Sequence, residues 1–185
     1  MKLAILILMS MLIVTGCSPH VREPSVLEFR EAGRLVDVGS TALRKGDLFE
    51  AKASFLLSYE LSPNAAAVDG LGCVAMLQQD FRRAEKLFIE AYEMDRDYYH
   101  ALGNLALLYE MQGEQQRALR MYKRAIKNNP TNVHFRNNFG VFLFEQEVGR
   151  QPEYRALLEL QKAVALAPNA RVVDNIETIE GKETK

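Results

Sequence analysis

The chain has 185 residues, enough for one compact domain, and its composition of 48% hydrophobic and 25% charged residues is that of an ordinary globular protein. This composition excludes a disordered tail protein and a polytopic membrane protein. The 23 basic and 24 acidic residues leave a net charge of −1, so the positive excess needed to bind a phosphate backbone is missing and nucleic acid is not an expected partner. Two cysteines cannot form a disulfide scaffold.

The first residues have the pattern of a secretion signal. Lys2 gives a positively charged start, and residues 3–14 form an apolar run that only one serine interrupts. A run of this length is too short to cross a hydrocarbon core of roughly 30 Å. We therefore expect residues 1–16 to be a signal peptide and not a structural element.

The signal is followed by Val14-Thr15-Gly16-Cys17, which resembles the bacterial lipobox. In that motif the cysteine is lipidated and the chain is cut before it. The resemblance implies a lipidated Cys17 and a short extended spacer over residues 17–25, and the alternative is a plain signal peptide with a chance cysteine. Several acyl chains, at about 0.8 kcal/mol per buried CH₂, would make the anchoring effectively permanent.

Removing the signal leaves 185 − 16 = 169 residues with 22 basic and 24 acidic side chains, because Lys2 is lost. Ser18 follows the cysteine where an aspartate would favour the inner membrane. By resemblance to the enterobacterial sorting pattern this favours the periplasmic face of the outer membrane. Cys73 is then left without a partner, and we expect no intramolecular disulfide.

Two strings recur along the rest of the chain. The first has the form A-x3-F-x2-A-x4-P, and it begins at Ala51, Ala84, Ala118 and Ala156, at offsets of 33, 34 and 38 residues. The second has the form L-x2-L-G-x2-A, and it begins at Leu35, Val68, Leu102 and Arg136. Spacings of 3, 1 and 3 place the residues of the second string on one face of a helix. The period predicts paired helices that repeat about every 34 residues.

These strings resemble the tetratricopeptide repeat (TPR), over residues 32 to 168. The resemblance implies an all-α fold, a TPR superhelix or α-solenoid of about four helix-turn-helix repeats. The repeats are expected over residues 32–64, 65–98, 99–132 and 133–169. Small residues where the helices cross allow the two axes to approach to about 8–10 Å.

The ends of the repeat domain, expected over residues 26–180, have their own signals. Ser25-Val26-Leu27-Glu28 is a capping box, which predicts a first helix of about 20 residues. Apolar residues over 171–179 predict a capping helix that covers the last hydrophobic face. Residues 181–185 are expected to be a disordered tail.

Turns and helix ends follow from glycine and proline. Gly46 and Gly113 suit the turn inside a repeat, whereas Gln79 stands at the equivalent position of the second repeat. Prolines at 63, 130 and 168 stop the second helices of three repeats, and in the second repeat Arg96 stands at this position. Arg136 begins the second string of the fourth repeat, where the other three repeats have a large apolar residue.

The connection between Leu143 and Ala156 is four residues longer than its counterparts. This insertion around residues 146–153 is expected to protrude, either as a tolerated surface loop or as a specific partner contact.

No catalytic pattern is found. H-E-x-x-H, G-x-S-x-G and a P-loop are all missing from the sequence, so an enzyme is not expected. His100 and His134 occupy equivalent positions but lack a third ligand, so no metal or other cofactor is expected. Cys73 is interpreted as a small packed residue, with a redox role as the alternative.

By the resemblance, the first helices of the repeats line a concave groove that binds proteins. Carried over from the family's groove positions, the second to fourth repeats supply Asp69, Cys73, Met76, His100, Asn104, Leu107, Glu110, His134, Asn137, Asn138, Val141 and Phe144. Asn104 and Asn138 could pair with the backbone of an extended peptide, or could be present for stability. The basic residues that clamp a C-terminal carboxylate are missing.

Other surface features have two interpretations. The second helix of the third repeat carries a basic stripe of Arg117, Arg120, Lys123, Arg124 and Lys127. The stripe is either a solvated convex face or a contact for acidic lipid headgroups or an acidic partner. Tyr98 and Tyr99 are interpreted as packing residues, with an aromatic binding pocket as the alternative.

We therefore expect an outer-membrane lipoprotein that binds envelope proteins or an extended peptide in its groove, with no small-molecule substrate. This design is similar to the lipoproteins that help a type IV or tight-adherence pilus or a secretin to assemble. A scaffold that docks peptidoglycan hydrolases or proteases is the alternative within binding proteins. A cell-wall enzyme or enzyme subunit is the alternative of another class.

Overall fold

The structure, a computed structural model, describes residues 22–146 and 151–183, without the side chains of residues 182 and 183. Within these ranges the chain forms nine α-helices and no strand. They are α1 (Val26–Lys45), α2 (Leu48–Leu61), α3 (Ala65–Leu77), α4 (Phe81–Met94), α5 (His100–Met111), α6 (Gln115–Asn128), α7 (Val133–Glu145), α8 (Pro152–Leu166) and α9 (Ala170–Glu183). The signal peptide, Cys17, the centre of the insertion at 147–150 and the last two residues lie outside the described ranges.

Consecutive helices pair into four hairpins, α1 with α2, α3 with α4, α5 with α6, and α7 with α8. The second helix of each hairpin also packs against the first helix of the next, and α8 packs in this way against α9. The junction between α6 and α7 is the least extensive of these. The result is the all-α solenoid that the repeat predicts.

We call α1, α3, α5, α7 and α9 the inner helices and α2, α4, α6 and α8 the outer helices. Along the stack α1 contacts α3, α3 contacts α5, and α7 contacts α9. α5 and α7 meet through the Phe135 ring, which packs against Gly103. The side that the inner helices share is therefore the one that can form a groove.

The capping box is present at the start of α1. Ser25 Oγ accepts from the backbone N–H of Glu28, and the Glu28 carboxylate accepts from the backbone N–H of Ser25. The resulting helix has 20 residues, as predicted.

The C-terminal helix extends further than expected. α9 continues to Glu183, so residues 181–183, which we expected to be disordered, are helical. Val172 and Ile179 are buried at 1% and 2% exposure and attach this helix to the stack. No proline follows them to stop the helix, which explains why it continues.

The turns inside the repeats show that helix packing, not glycine alone, sets their geometry. Gly46 and Gly113 have φ angles of 80° and 72°, in the left-handed region that glycine favours. Gln79 takes the same conformation at φ 62°. The packed helices therefore impose this turn on a residue that does not favour it.

A repeated alanine lies at each crossing between the two helices of a hairpin. Ala51, Ala84, Ala118 and Ala156 all have 0% exposure. The large residue four positions later in each repeat is at most 1% exposed, and these residues are Phe55, Phe88, Tyr122 and Leu160. The repeated string is therefore the core of the solenoid.

These large side chains press against glycines of the inner helices. The Phe55 ring lies between Gly39 of α1 and Gly70 of α3, so close that a Cβ on either glycine would collide with it. Phe88 meets Gly72 and Leu160 meets Gly140 in the same way. The two glycines beside Phe55 allow α2 to contact two inner helices at once.

Replacing Gly70 with alanine should test this packing. Because the Phe55 ring is buried and cannot move away freely, we expect Gly70→Ala to lower the free energy of unfolding by about 1–3 kcal/mol. Gly33→Ala is the matched control, since a Cβ there meets nothing within 4 Å and alanine favours helix by about 0.5–1 kcal/mol. Urea-induced unfolding of the two variants measures the contrast. Equal stability of both variants would contradict the packing described here.

Candidate protein-binding groove

The inner helices place a row of accessible apolar side chains along one side of the molecule. Met76 of α3, Leu107 of α5, and Val141 and Phe144 of α7 are half-buried. These residues, predicted from the repeat positions, keep part of their surface open to a ligand. We call this side, formed by α3, α5 and α7, the groove.

Asp69 was predicted as a groove contact, but it is buried at 6% exposure. Its carboxylate accepts from Asn104 Nδ2 at 2.9 and 3.0 Å and from the Tyr98 hydroxyl at 3.1 Å. Asn104 therefore holds α5 to α3 and does not offer its amide N–H groups to a peptide. This link supports the stabilising interpretation of Asn104.

The same link recurs at the other end of the stack. Asn175 of α9 donates from Nδ2 to Asn137 Oδ1 at 2.8 Å, and Asn137 is buried at 8% exposure. Asp69 and Asn137 share the fifth repeat position, whereas Asn104 and Asn175 share the sixth. Asn137, like Asp69, supports the wall of the groove and is not a free contact for a ligand.

Two junctions lack this polar link. Between α1 and α3, Val36 holds the fifth position and Gly70 the sixth, so neither side chain can form it. The fifth position of the third repeat is Gly103, which has no side chain to accept a bond from Asn138, and the Phe135 ring packs against that glycine. Asn138 Oδ1 instead accepts from Asn137 Nδ2 at 3.3 Å. Within the described part of the chain no acceptor meets Asn138 Nδ2, so this amide can donate to a bound segment.

Cys73 lies beside the buried carboxylate. Its Sγ is 3.5 Å from Asn104 Nδ2, and it forms no disulfide. Burial, and secondarily the charge of Asp69, raise the pKa of the Cys73 thiol far above its usual range. Because the thiolate is the reactive form, this environment favours the packing interpretation over a redox role.

The two predicted histidines lie near one edge of the groove, and both are exposed. Burial of part of the ring, and then the charge of His134, lower the pKa of His100. The His100 ring contacts Tyr98 at 5.5 Å and Phe135 at 5.8 Å between centroids. Across the described residues, no three histidine, cysteine or acidic side chains are grouped to hold a metal ion.

The tyrosines and Glu110 are fixed by hydrogen bonds. Tyr98 bonds to Asp69, and the Tyr99 hydroxyl donates to Asp97 at 2.8 Å. Glu110 accepts from the buried Tyr122 hydroxyl at 2.6 Å, and burial raises the pKa of its carboxyl. Tyr98 therefore has the packing role that we expected, and Glu110 presents a held carboxyl at the groove.

The basic stripe of α6 divides into two parts. Arg117 forms ion pairs with Glu85 and Glu114, and Arg124 stacks 4.7 Å from the centre of the Tyr92 ring. Arg120, Lys123 and Lys127 are exposed and have no such contact among the described residues. Only this second group is available to a partner.

Two hollows flank the apolar row. One, of about 210 Å³, lies where α1 meets α3 and is lined by Phe29, Gly33, Val36 and Ala66. The other, of about 100 Å³, is lined by Val141, Phe144, Asn175 and Ile179, among others. Sequence reasoning missed Phe29, which precedes the repeat. Its spacing of four and seven residues from Gly33 and Val36 would have placed it on the same helical face.

Comparison with known proteins agrees with this architecture. Residues 70–133 match the family model of the tetratricopeptide repeat. An uncharacterized protein of Haemophilus influenzae is 32% identical over 88 residues, which cover 47% of this chain and 49% of that protein. The chain thus matches about half the length of this relative.

Two solved structures share the fold. That of Pseudomonas aeruginosa pilF has a TM-score of 0.70 at 18% identity and covers 85% of this chain and 71% of that one. That of TTC0263, a thermophilic TPR protein of Thermus thermophilus, has a TM-score of 0.70 at 15% identity and covers 82% of each chain.

The all-α repeat fold predicted from the two strings is therefore confirmed, and residues 70–133 match the tetratricopeptide repeat family. Proteins of this class bind peptides and proteins in their groove, and their scaffold is generally not catalytic. Among the helices that the structure describes, none combines the length and the apolar content needed to cross a membrane.

The buried carboxyl makes stability depend on pH. Burial raises the pKa of Asp69 to about 6, against the opposing effect of the hydrogen bonds from Asn104 and Tyr98. The folded-state pKa lies above the unfolded value of about 3.9, so the protonated Asp69 carboxyl stabilises the fold. Its contribution is complete below about pH 3.9 and is lost as the pH rises through about 6.

We therefore expect the free energy of unfolding of the natural chain, relative to Asp69→Asn, to fall by roughly 2–3 kcal/mol between about pH 3.5 and 7.5. The difference between the two free energies of unfolding cancels the effect of the other titrating groups, which both chains share. Chemical unfolding across this pH range measures it. A difference that is constant, or that rises with pH, would show that the carboxyl is not held in a desolvated site.

Proposed function

We propose that this chain is a lipid-anchored adaptor of the bacterial envelope, which binds a segment of another envelope protein in its groove. The observation that carries the proposal is the row of half-buried apolar side chains on successive inner helices, beside the open amide of Asn138. The resemblance of Val14-Thr15-Gly16-Cys17 to a lipobox supports the anchor and a position at the periplasmic face of the outer membrane.

The groove suits an extended segment with apolar side chains. Met76, Leu107 and Phe144 can each take one, and Asn138 Nδ2 can donate to a backbone carbonyl. The ionisable groups on this side include Glu110 and exposed Asp37 but no lysine or arginine among the predicted groove positions. A C-terminal carboxylate or an acidic segment is therefore disfavoured, and a neutral or basic segment is favoured.

The anchor and the groove support each other. A binding surface held at the membrane has a high effective concentration toward membrane-bound partners, so a modest affinity is sufficient. The role we propose for this arrangement is assistance in assembling a type IV or tight-adherence pilus or its secretin. The combination of a small repeat domain with a lipidated N-terminus supports it.

Photo-crosslinking in cells tests the groove. A crosslinker at Leu107 should capture an envelope protein of the pilus or secretin apparatus, and one at the exposed Gln116 of α6 is the matched control on the outer side. Deletion of the chain should reduce secretin multimers. Capture of a partner from Gln116 but not from Leu107 would show that the groove is not the binding site. Capture of a peptidoglycan hydrolase or protease, with altered wall turnover, would replace the assembly role by the alternative scaffold role.

Replacing the lipidated cysteine tests the anchor. We expect Cys17→Ala to lose acyl labelling and to leave the membrane fraction in a high-salt wash, because the acyl chains provide the salt-resistant part of the membrane affinity. Cys73→Ala is the matched control and should remain acylated and bound. If Cys17→Ala stays in the washed membrane as the natural chain does, the anchor is wrong.

A further inference from the structure

The outer helices share a face that is turned away from the inner helices. It consists of five positions in each repeat, which lie two residues before and two, five, six and nine residues after the repeated alanine. These twenty residues, which we call the outer face, are Phe49, Ala53, Leu56, Leu57, Glu60, Arg82, Lys86, Ile89, Glu90, Glu93, Gln116, Arg120, Lys123, Arg124, Lys127, Tyr154, Leu158, Gln161, Lys162 and Ala165. Every one of them is exposed.

The outer face concentrates positive charge. It carries seven basic and three acidic residues, a net charge of +4, so the rest of the chain carries −1 − 4 = −5. Lys162 pairs with Glu159, and Arg124 stacks on Tyr92. The other five cations form no ion pair with any described residue, and these are Arg82, Lys86, Arg120, Lys123 and Lys127. A chain that is slightly acidic overall therefore has one strongly basic side.

The part of the outer face on α2 is apolar except for Glu60 near the end of the helix. Phe49 is 86% exposed, Leu57 47% and Leu56 41%, and Ala53 lies between them. At the equivalent positions α6 carries only polar and basic residues. Since α2 also buries Phe55 on its other side, it is apolar on opposite sides, which is unusual for a helix that faces water on one side.

We propose that the outer face binds the surface of an anionic lipid bilayer. The apolar side chains of α2 enter the interface, and the cations of α4 and α6 lie against acidic headgroups. Basic residues combined with exposed aromatic and aliphatic side chains are what binding at such an interface requires. The inference rests on the proposed function, because the lipid on Cys17 holds the chain beside the bilayer.

The length of the tether permits this orientation. The nine residues from Cys17 to Ser25 span at most about 30 Å when extended. They join α1, whose axis lies about 8–10 Å from that of α2. The outer face of α2 can therefore reach the bilayer while the anchor stays inserted. The groove, on the opposite side of the hairpins, then points away from the membrane toward its partner.

A bilayer fits this face better than an acidic protein does. The apolar side chains of α2 protrude from an outer helix, and the cations are spread over three outer helices and are not gathered around one pocket. A fluid interface accepts scattered side chains without matching their shape. A protein partner would have to match the whole curved face.

A fluorescent probe at Ala53 tests the contact. The full chain carrying Cys73→Ala and Ala53→Cys, labelled with an environment-sensitive dye, is reconstituted in vesicles of phosphatidylcholine with phosphatidylglycerol. We expect a blue-shifted emission that brominated lipids quench, and loss of both in high salt, because salt screens the headgroup charge. His134→Cys, exposed on the inner helix α7, is the matched control and should report water throughout.

Charge reversal tests the cations. Arg120→Glu with Lys123→Glu should lower binding of the unlipidated Cys17→Ala chain to the same vesicles by roughly tenfold or more, since each basic residue near an anionic surface contributes substantially. Arg30→Glu with Arg171→Glu makes the same change in net charge away from the outer face and is the control. Equal losses in both pairs would overturn the proposal.

The outcome is separate from that of the proposed function. A probe at residue 53 that stays in water, in a chain that is acylated and held in the vesicles, would overturn the docking and leave the anchored adaptor intact. Crosslinks in cells from Ala53 or Lys123 to an acidic protein, together with no quenching of the probe by brominated lipid, would assign this face to that protein. This result would also overturn the proposed binding to the bilayer. A failure of acylation bears on Cys17 alone, since the charge-reversal experiment does not use the lipid.

Discussion

The contact of a large buried side chain with glycine is the constraint on which the solenoid depends. Phe55 touches α1 and α3 at Gly39 and Gly70, and this single ring closes one hairpin and starts the next. A helix axis cannot approach another so closely past a larger residue. The spacing of the repeats, the contact between neighbouring inner helices and the existence of a groove all follow from this approach.

The repeat could be predicted from the sequence because its cause is local and periodic. The alanine and the large residue four positions later each repeat with the helical period, so Ala51 and Phe55 could be placed in the core without coordinates. The capping box at Ser25 could be predicted for the same reason, since its two partners are three residues apart.

The role of Asn104 could not be predicted in this way. Its partner Asp69 lies 35 residues earlier, and the two meet only because α3 and α5 pack in a particular register. The sequence left a stabilising role and a ligand-binding role both open, and only the position of a neighbouring helix supports the first. The predicted α9 was too short because apolar residues indicate which part of a helix packs against its neighbours. They do not indicate how far the helix continues beyond them.

The inner and outer helices differ in what they present. The inner helices combine apolar side chains with amides and carboxylates, many of them already used to join the repeats, so what remains for a ligand is the row from Met76 to Phe144 and the amide of Asn138. The outer helices use alanine and a large residue to pack and leave the rest of their surface to charge and to the apolar side chains of α2. One periodic pattern thus sets two surfaces with different chemistry.

The missing polar link at Gly103 has a mechanical consequence. The α3–α5 and α7–α9 junctions each have a hydrogen bond between side chains, whereas α5 and α7 are connected through Phe135 and lie beside the least extensive outer-helix contact in the stack. The junction between the third and fourth repeats is therefore the one with the fewest directed contacts. A change in helix packing at this junction would alter the width of the groove beside Leu107 and Val141.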